Sequence, residues 1–261
     1  MTTAIIVQAR LGSSRLPGKV LLPLGAATPL ASVLRRCARI PGADVVVCAI
    51  PAGRSDDAVA VAAEACGAVV FRGSETDVLA RYLGAARAVA ATTVMRVTSD
   101  CPLIDPAICG EILEVLAATG ADYVGNSLPP LWPHGLDCDA FPVSALASAA
   151  EEATAPADRE HVTLWLKRNP RLNRINVDGP GDGLERHRWT LDVAADLWFF
   201  RALWTAMGER AVAATTPEIL AVLATHPEIA ALNHAAVDEA RLSDRSITVR
   251  RRLTSRVLAQ A

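Results

Sequence analysis

The feature that most constrains the fold is an alternation, in the first half of the chain, of short apolar runs with helical patterns. Four runs have the length and β-branched content of buried strands, at residues 3–9, 44–50, 68–71 and 93–97. Each run is followed by a segment whose apolar residues recur at helical spacing. This alternation is typical of a mostly parallel sheet with helices on both faces. We therefore expect an α/β fold whose ligands bind beyond the carboxyl ends of the strands.

The second half of the chain is less regular. Its patterns predict helices over residues 106–119, 160–169 and 194–207, and strands over 135–141 and 188–193. Two further helices are expected to begin near Thr216 and at Pro227, where capping residues and prolines occur. Because no linker, repeat or low-complexity tract interrupts the 261 residues, we predict a single domain over 1–261.

Composition and charge exclude several classes of protein. With 51% hydrophobic and 21% charged residues the chain can bury a sizeable core, and a net charge of −2 gives no basic field for nucleic acid. The six cysteines form neither a CxxC pair nor a zinc-type cluster. The first ten residues lack the basic segment and apolar length of a signal peptide or a membrane span. We expect a cytoplasmic protein without nucleic-acid or membrane partners.

The segment RLGSSRLPGK, which directly follows the first predicted strand, carries the strongest chemical signal. It contains three cations, two hydroxyls and two glycines, namely Arg10, Arg15, Lys19, Ser13, Ser14, Gly12 and Gly18. Cationic side chains bind phosphate oxygens, and glycine lets the backbone approach them. The segment is not a Walker A loop, because five residues separate its glycines and Val20 follows the lysine. A solvated basic turn is the alternative, but this density of groups favours a triphosphate.

The string IIVQARLGSSRLPGKVLLPL resembles the amino-terminal signature of the cytidylyltransferases that activate acidic sugars, and especially their spore-coat-polysaccharide branch. Similar blocks follow in order at 71–82, 96–106, 135–137, 159–163 and 191–197. The resemblance implies a Rossmann-like fold of the GT-A type, with a nucleotide-binding half at about 1–120 and an acceptor-binding half at about 121–261. It also implies Mg²⁺-dependent transfer of CMP from CTP to a small acidic acceptor in cell-surface glycan biosynthesis, with release of pyrophosphate, by a chain that could form a homodimer.

The nucleotide is expected to bind to the first loop, and by their position at later strand ends Ala49, Arg72 and Gly73 could face the cytosine and ribose. The nucleotide-binding residues are thus expected to be Ala9, Arg10, Leu11, Gly12, Ser13, Ser14, Arg15, Lys19, Ala49, Arg72, Gly73 and Ser99. The expected catalytic residues are Arg10, Arg15, Lys19 and Asp100. Preference for cytosine over other bases follows from the resemblance alone.

Two carboxylates are candidates for binding the metal. Asp100 follows a predicted strand, and Mg²⁺ typically takes one or two carboxylates together with phosphate and water. The resemblance implies that Asp100 is the first ligand and Asp192 the second. Either could instead be a turn or helix-capping residue, as we expect for Asp105. Residues 193–195 are apolar where the family has polar residues, which weakens the assignment of Asp192.

The acceptor side is implied by the later blocks. Its expected residues are Asn126, Gly135, Asp137, Arg159, Glu160 and His161. Arg159 could hold an acceptor carboxylate in a bidentate pair, and His161 could steer or deprotonate an acceptor hydroxyl. Each of these residues could equally have only a structural role.

Two other functions stay open at this point. A glycosyltransferase of the same fold would hold its metal through a DxD pair, and the letters of that motif occur at 137–139. A nucleotide-binding protein without turnover is the other alternative. Six arginines between Arg241 and Arg256 indicate a solvated terminal helix or arm, with a dimer contact or an anion-binding lid as alternatives.

Overall fold

The computed structural model describes residues 1–254, which are built around one eight-stranded sheet. The strands are β1 (Thr3–Gln8), β2 (Val45–Pro51), β3 (Val69–Gly73), β4 (Thr93–Thr98), β5 (Tyr123–Gly125), β6 (Asp139–Pro142), β7 (Arg174–Asp178) and β8 (Arg250–Leu253). Their order across the sheet is β3-β2-β1-β4-β6-β5-β7-β8. The sheet is parallel except where β6 runs antiparallel to β4 and β5. The predicted mostly parallel α/β fold is confirmed.

Helices cover both faces of the sheet, as the continuous apolar strands require. They are α1 (Pro29–Cys37), α2 (Asp57–Glu64), α3 (Val78–Ala88), α4 (Pro106–Thr119), α5 (Val143–Glu152), α6 (Pro156–His161), α7 (Leu164–Arg168), α8 (Ala194–Met207), α9 (Thr216–Thr225), α10 (Pro227–Ala231) and α11 (Glu239–Ser243). In β1, Ile5 and Val7 pack into the core formed with α1 and α4, while Ala4 and Ile6 pack toward α3 and α5. A third apolar cluster lies around α8 and α9.

The capping signals of the sequence correspond to real helix ends. The Thr28 side chain accepts a hydrogen bond from the Ala31 amide at the start of α1, where proline is the first helical residue. The Asp105 carboxylate accepts from the Ala107 amide at the start of α4. The predicted bounds of α4 and α8 agree with the structure, so local chemistry sets where these helices begin.

Two predicted elements are wrong, and a third is shorter than predicted. Residues 188–193 form no strand apart from one isolated bridge to His134, because their apolar side chains pack into the cluster around α8. The predicted helix 160–169 is broken at Val162, whose φ of 59° interrupts it between α6 and α7. The strand expected at 135–141 is the shorter β6.

The arginine-rich carboxyl segment is partly a strand. After α11, β8 pairs parallel to β7, and Arg251 donates to the Asp178 carboxylate at 2.7 Å. The described part of this segment is thus a short helix followed by a strand that is attached to the sheet edge, with the strand's side chains exposed as expected; Arg256 lies outside the described residues. Among residues 1–254, none of the helices combines the length and the apolarity that crossing a membrane would need.

Candidate active site

The loop of residues 10–19 is closed on itself at the carboxyl end of β1. The Leu11 amide donates to Asp56 Oδ1 at 2.6 Å, which ties the loop to the start of α2. The Gly18 amide donates to the Leu11 carbonyl at 3.1 Å, with a φ of 70° at Gly18 that favours glycine. Lys19 then begins a short 3-10 turn. This closure fixes the point from which the lysine side chain enters the cleft.

Lys19 lies between two aspartates that are distant in sequence. Its Nζ atom is 2.9 Å from Asp100 Oδ2 and 3.1 Å from Asp192 Oδ1. Arg15 forms a second ion pair with Asp192. The side chains of Lys19 and Asp192 are only 12% and 17% exposed, so their charges are weakly screened by water. The cations hold together two carboxylates that would otherwise repel each other.

Asp192 reaches this position through backbone contacts rather than from the end of a strand. The Leu191 amide donates to the Asp100 carbonyl at 2.7 Å, and the Thr190 hydroxyl donates to the same oxygen at 3.3 Å. The segment wrongly predicted as a strand thus crosses the end of β4 and brings Asp192 beside Asp100. The structure places together the two carboxylates that the sequence marked as candidate metal ligands.

The pKa values of this group follow from its ion pairs. Burial opposes the charged form of Asp100, but the charge of Lys19 and the Thr98 hydroxyl outweigh it, so the pKa of Asp100 lies below its ordinary value. Burial likewise opposes the charged form of Lys19, yet Asp100 and then Asp192 hold its pKa above the usual 10.5. Lys19 and Asp100 are therefore charged at neutral pH.

A cleft of about 490 Å³ opens above these residues at the carboxyl ends of β1 and β4. Twelve predicted site residues line it, namely Ala9, Arg10, Gly12, Ser13, Ser14, Arg15, Lys19, Ser99, Asp100, Glu160, His161 and Asp192. The cleft therefore joins the first loop, both carboxylates and the end of α6. Its lining is polar and carries four cations (Arg10, Arg15, Lys19 and Arg81) together with four carboxylates, so it offers donors for phosphate and oxygens for a cation.

Four predicted nucleotide-binding residues lie outside the lining. Leu11 instead contributes its amide to the closure of the loop, and Ala49 is buried in β2 with its carbonyl accepting from the Ala9 amide. Arg72 is paired with Asp57 at 2.7 Å. A Cβ atom at Gly73 would lie 2.9 Å from the Arg81 side chain. The contacts of these four residues are thus with neighbouring parts of the chain and not with the cleft.

Four predicted acceptor residues are also outside the lining. Asn126 is buried and bridges the Leu136 carbonyl and the Cys138 amide, and Asp137 pairs with Arg241 at 2.7 Å. The Nε and Nη2 atoms of Arg159 both donate to Oδ2 of Asp77, whose Oδ1 caps α3. Arg159 therefore ties α6 to α3. Of the acceptor set, Glu160 and His161 reach the cleft.

The remaining acceptor candidate, Gly135, sits where no side chain fits. Its φ is 114°, and a Cβ atom there would lie 2.3 Å from the Trp189 carbonyl oxygen. We expect Gly135→Ala to lower the free energy of unfolding by about 3 kcal/mol, because it combines backbone strain with overpacking. Gly120→Ala is the control, since Gly120 also has a positive φ but its added Cβ meets nothing within 4 Å; it should cost about 1 kcal/mol. Equal losses in urea unfolding would contradict the steric explanation.

Sequence reasoning missed several residues of the cleft, of which Arg81 is the most informative. The residues not predicted are Gln8, Val20, Glu75, Thr76, Val78, Arg81 and Thr98. Arg81 is only 4% exposed and donates to the carbonyl of Ser74, which holds the 74–76 wall in place. Burial lowers the pKa of this guanidinium. A charged residue on the apolar face of a predicted helix was the available signal.

Behind the acceptor side lies a buried polar network centred on Asp139. Its carboxylate receives hydrogen bonds from Tyr123 and from Thr163, the latter at 3.0 Å. It also pairs with Lys167 at 3.2 Å and with Arg96 at 3.4 Å. Although burial opposes its charged form, Lys167 and Arg96 hold the pKa of Asp139 below its ordinary value. The second carboxylate of the DxD letters is therefore committed to structure and does not line the cleft.

We expect Asp139→Asn to lower the free energy of unfolding by about 3 kcal/mol, since it leaves two partly buried cations, Arg96 and Lys167, without their shared counter-ion. The native pKa of Asp139 is depressed, so its contribution is present above the unfolded pKa of about 3.9 and is lost as pH falls through the native pKa. Urea unfolding at pH 7 and pH 3.5 measures this. The difference between wild type and variant should shrink at the lower pH, and a constant difference would contradict the ionic explanation.

The donor set of the cleft fits Mg²⁺. Asp100 and Asp192 both approach one cation, the Lys19 ammonium, so their oxygens already converge on a single positive charge. Mg²⁺ is typically bound by one or two carboxylates while phosphate and water fill its remaining positions. Within residues 1–254 no group of three or more His, Cys, Asp or Glu side chains forms a complete protein site. A metal ion in this cleft would therefore be bound by the two carboxylates together with phosphate oxygens of the substrate and water.

Comparisons with known proteins agree with this geometry. The sequence model of the cytidylyltransferase family matches residues 4–181. The spore coat polysaccharide biosynthesis protein SpsF of Bacillus subtilis is 31% identical over 86% of this chain and 95% of its own. A cytidylyltransferase structure from Leptospira borgpetersenii superposes with a TM-score of 0.83 at 27% identity, over 88% of this chain and 96% of that one. A CMP:2-keto-3-deoxy-manno-octonic acid synthetase complexed with CTP shares the fold, with a TM-score of 0.56 at 19% identity over 78% and 99% of the two chains. Because the family model matches residues 4–181 and the fold agrees with that of known members, this chain belongs to the cytidylyltransferase family of nucleotidyltransferases.

Proposed function

We propose that this chain transfers CMP from CTP to a small acidic sugar or a related acceptor and releases pyrophosphate, in the synthesis of a cell-surface glycan. The observation that supports this most directly is the position of Lys19 between Asp100 and Asp192 in a cleft lined by the first loop. Family membership and the likeness to the spore coat protein support the donor and the process.

The cations of the loop would bind the leaving part of the nucleotide. Arg10, Arg15 and Lys19 line one side of the cleft and would hold the β- and γ-phosphates. Charges that are already in place when negative charge develops on the leaving pyrophosphate lower the barrier without reorganisation. The acceptor oxygen would attack the α-phosphorus in line, so that the P–O bond to pyrophosphate breaks as the new P–O bond forms.

The two carboxylates would bind Mg²⁺. Asp100 and Asp192 supply oxygens of the type that this ion prefers, and the bound ion would neutralise charge on the α-phosphate. Lys19 would then be released from one or both aspartates and become free to contact phosphate. The ion pairs seen here thus keep the carboxylates in position until the nucleotide and the metal arrive.

The acceptor would bind beside the end of α6. Glu160 and His161 line the cleft there, and a carboxylate or an imidazole in hydrogen-bond reach of an acceptor hydroxyl could take its proton. Arg159 holds α6 against α3 through Asp77, so its role is to orient these two residues. A glycosyltransferase reading is less favoured, since the DxD carboxylates are paired with Arg241, Arg96 and Lys167.

The test is a screen of pyrophosphate release that pairs each of the four ribonucleoside triphosphates with a panel of acidic sugars. We expect Mg²⁺-dependent release with CTP and at least one acceptor, and much less with the other triphosphates. Binding of CTP without release for any acceptor would instead support a nucleotide-binding protein without turnover. Release with a nucleotide-sugar donor and no triphosphate would support a glycosyltransferase.

A further inference from the structure

The buried carboxylate of Asp196 lies directly behind the cleft residue Asp192. Asp196 is fully buried in the first turn of α8. Its Oδ2 atom accepts from the backbone amides of Asp192 at 2.8 Å and Val193 at 3.0 Å. Two consecutive amides next to the cleft are therefore held by one side chain that itself lies outside the cleft lining.

The same carboxylate is held in turn by two other residues. Arg188 donates to both of its oxygens, at 2.8 and 2.9 Å, and Asn233 donates to Oδ1 at 3.0 Å. Asn233 also donates to the Arg188 carbonyl at 2.8 Å, so the three side chains form a closed set. All three are at most 8% exposed. The five hydrogen bonds to Asp196 fill its acceptor capacity, which leaves little freedom to its orientation.

These residues come from the part of the chain that the family model does not cover. That match ends at residue 181, whereas Arg188, Asp196 and Asn233 all lie beyond it. Asn233 follows α10, and its hydrogen bond to Asp196 links this carboxyl-terminal part of the chain to the segment that carries Asp192. The apolar residues after Asp192 are compatible with this arrangement, because the polar support comes from Asp196 and not from the adjacent side chains.

We propose that Asp196 is a positioning residue which, together with Arg188 and Asn233, fixes Asp192 for metal and nucleotide binding. The inference rests on the proposed function of the cleft. A ligand whose backbone is held rigidly loses less freedom when it binds the ion, and removing such supporting hydrogen bonds typically weakens metal binding 10- to 100-fold. The carboxyl-terminal helices thereby help to complete the site rather than only stabilise the fold.

The test compares Asp196→Asn and Asn233→Ala with Asp105→Asn. Asp105 is a matched control, because it is 5% exposed, caps a helix and bonds to a distant segment through Thr216, yet does not line the cleft. Mn²⁺ binding in the presence of CTP, followed by electron paramagnetic resonance, gives a readout that does not need turnover. Hydrogen exchange of the peptide containing Asp192 and Val193 gives a second readout that needs no metal.

We expect Asp196→Asn to weaken Mn²⁺ binding about 10- to 100-fold and Asn233→Ala about 10-fold, with faster exchange at Asp192 and Val193. Asp105→Asn should lower the Tm but leave Mn²⁺ binding and this exchange within about twofold of wild type. Unchanged binding in Asp196→Asn, or an equal loss in Asp105→Asn, would overturn the positioning role. A wild-type protein that releases no pyrophosphate would refute the proposed function alone, because the binding and exchange measurements would still decide the role of Asp196.

Discussion

Lys19→Met is expected to lower kcat/KM for CTP about 1,000-fold, equivalent to about 4 kcal/mol of transition-state stabilisation. The substitution removes a charge that would bind the leaving phosphates, and methionine keeps much of the side-chain volume. It also leaves Asp100 and Asp192 without the ammonium that they share. Pyrophosphate release at saturating Mg²⁺ measures the loss, and turnover within tenfold of wild type would contradict our assignment of Lys19.

A matched control for Lys19 exists elsewhere in the chain. Lys167 is 14% exposed against 12% for Lys19, and it also contacts a buried aspartate, Asp139. Lys167→Met should therefore cost stability while kcat stays within about threefold of wild type at a temperature where the variant is folded. An equal loss of turnover in both variants would mean that removal of any buried lysine disables the enzyme.

Asp100→Asn is expected to reduce kcat about 1,000-fold, and added Mg²⁺ should not restore it. Asparagine keeps the shape of the side chain but loses the negative charge that would hold the ion. Asp178→Asn is a control, since it also removes an ion-paired carboxylate, the partner of Arg251, but one that does not line the cleft. Activity of Asp100→Asn that recovers fully at high Mg²⁺ would show that Asp192 suffices for the metal.

The same variant should change how stability depends on pH. The native pKa of Asp100 is depressed, so the ion pair contributes above the unfolded pKa of about 3.9, and its contribution is lost as pH falls through the native value. The native pKa of Lys19 is raised, so its contribution is present below 10.5 and is lost as pH rises through the native value. Asp100→Asn should therefore weaken both dependences, which Tm measurements from pH 3 to 11 would detect.

The first half of the fold could be predicted because its signals are local. Strands β1 to β4 are continuous apolar runs, and helices such as α1 and α4 carry their own capping residues. The second half has short strands of three to five residues, such as β5 and β7, whose pairing depends on distant partners. The segment 188–193 was misread because apolar residues such as Trp189 and Leu191 find burial against α8 and not in the sheet.

The candidate site could be anticipated to a similar degree. The loop 10–19 concentrates its chemistry in ten adjacent residues, so the sequence alone marked it. The pairing of Asp100 with Asp192 needed the resemblance, since 92 positions separate them in the sequence. For Arg81 the signal was its charge on an apolar helix face, although that charge does not say that the side chain contacts the Ser74 carbonyl. The role of Asp196 depends also on Asn233, which lies 37 positions away and is not marked by any local pattern.

Strand β8 has a consequence for how copies of this chain could associate. It is a sheet edge whose four residues are all exposed, and three of them are arginines. Pairing of β8 with β8 of another copy would bring two sets of guanidinium groups together, and their mutual repulsion opposes growth of a continuous sheet through this border. The arginines of β8 therefore protect an open sheet edge against self-association.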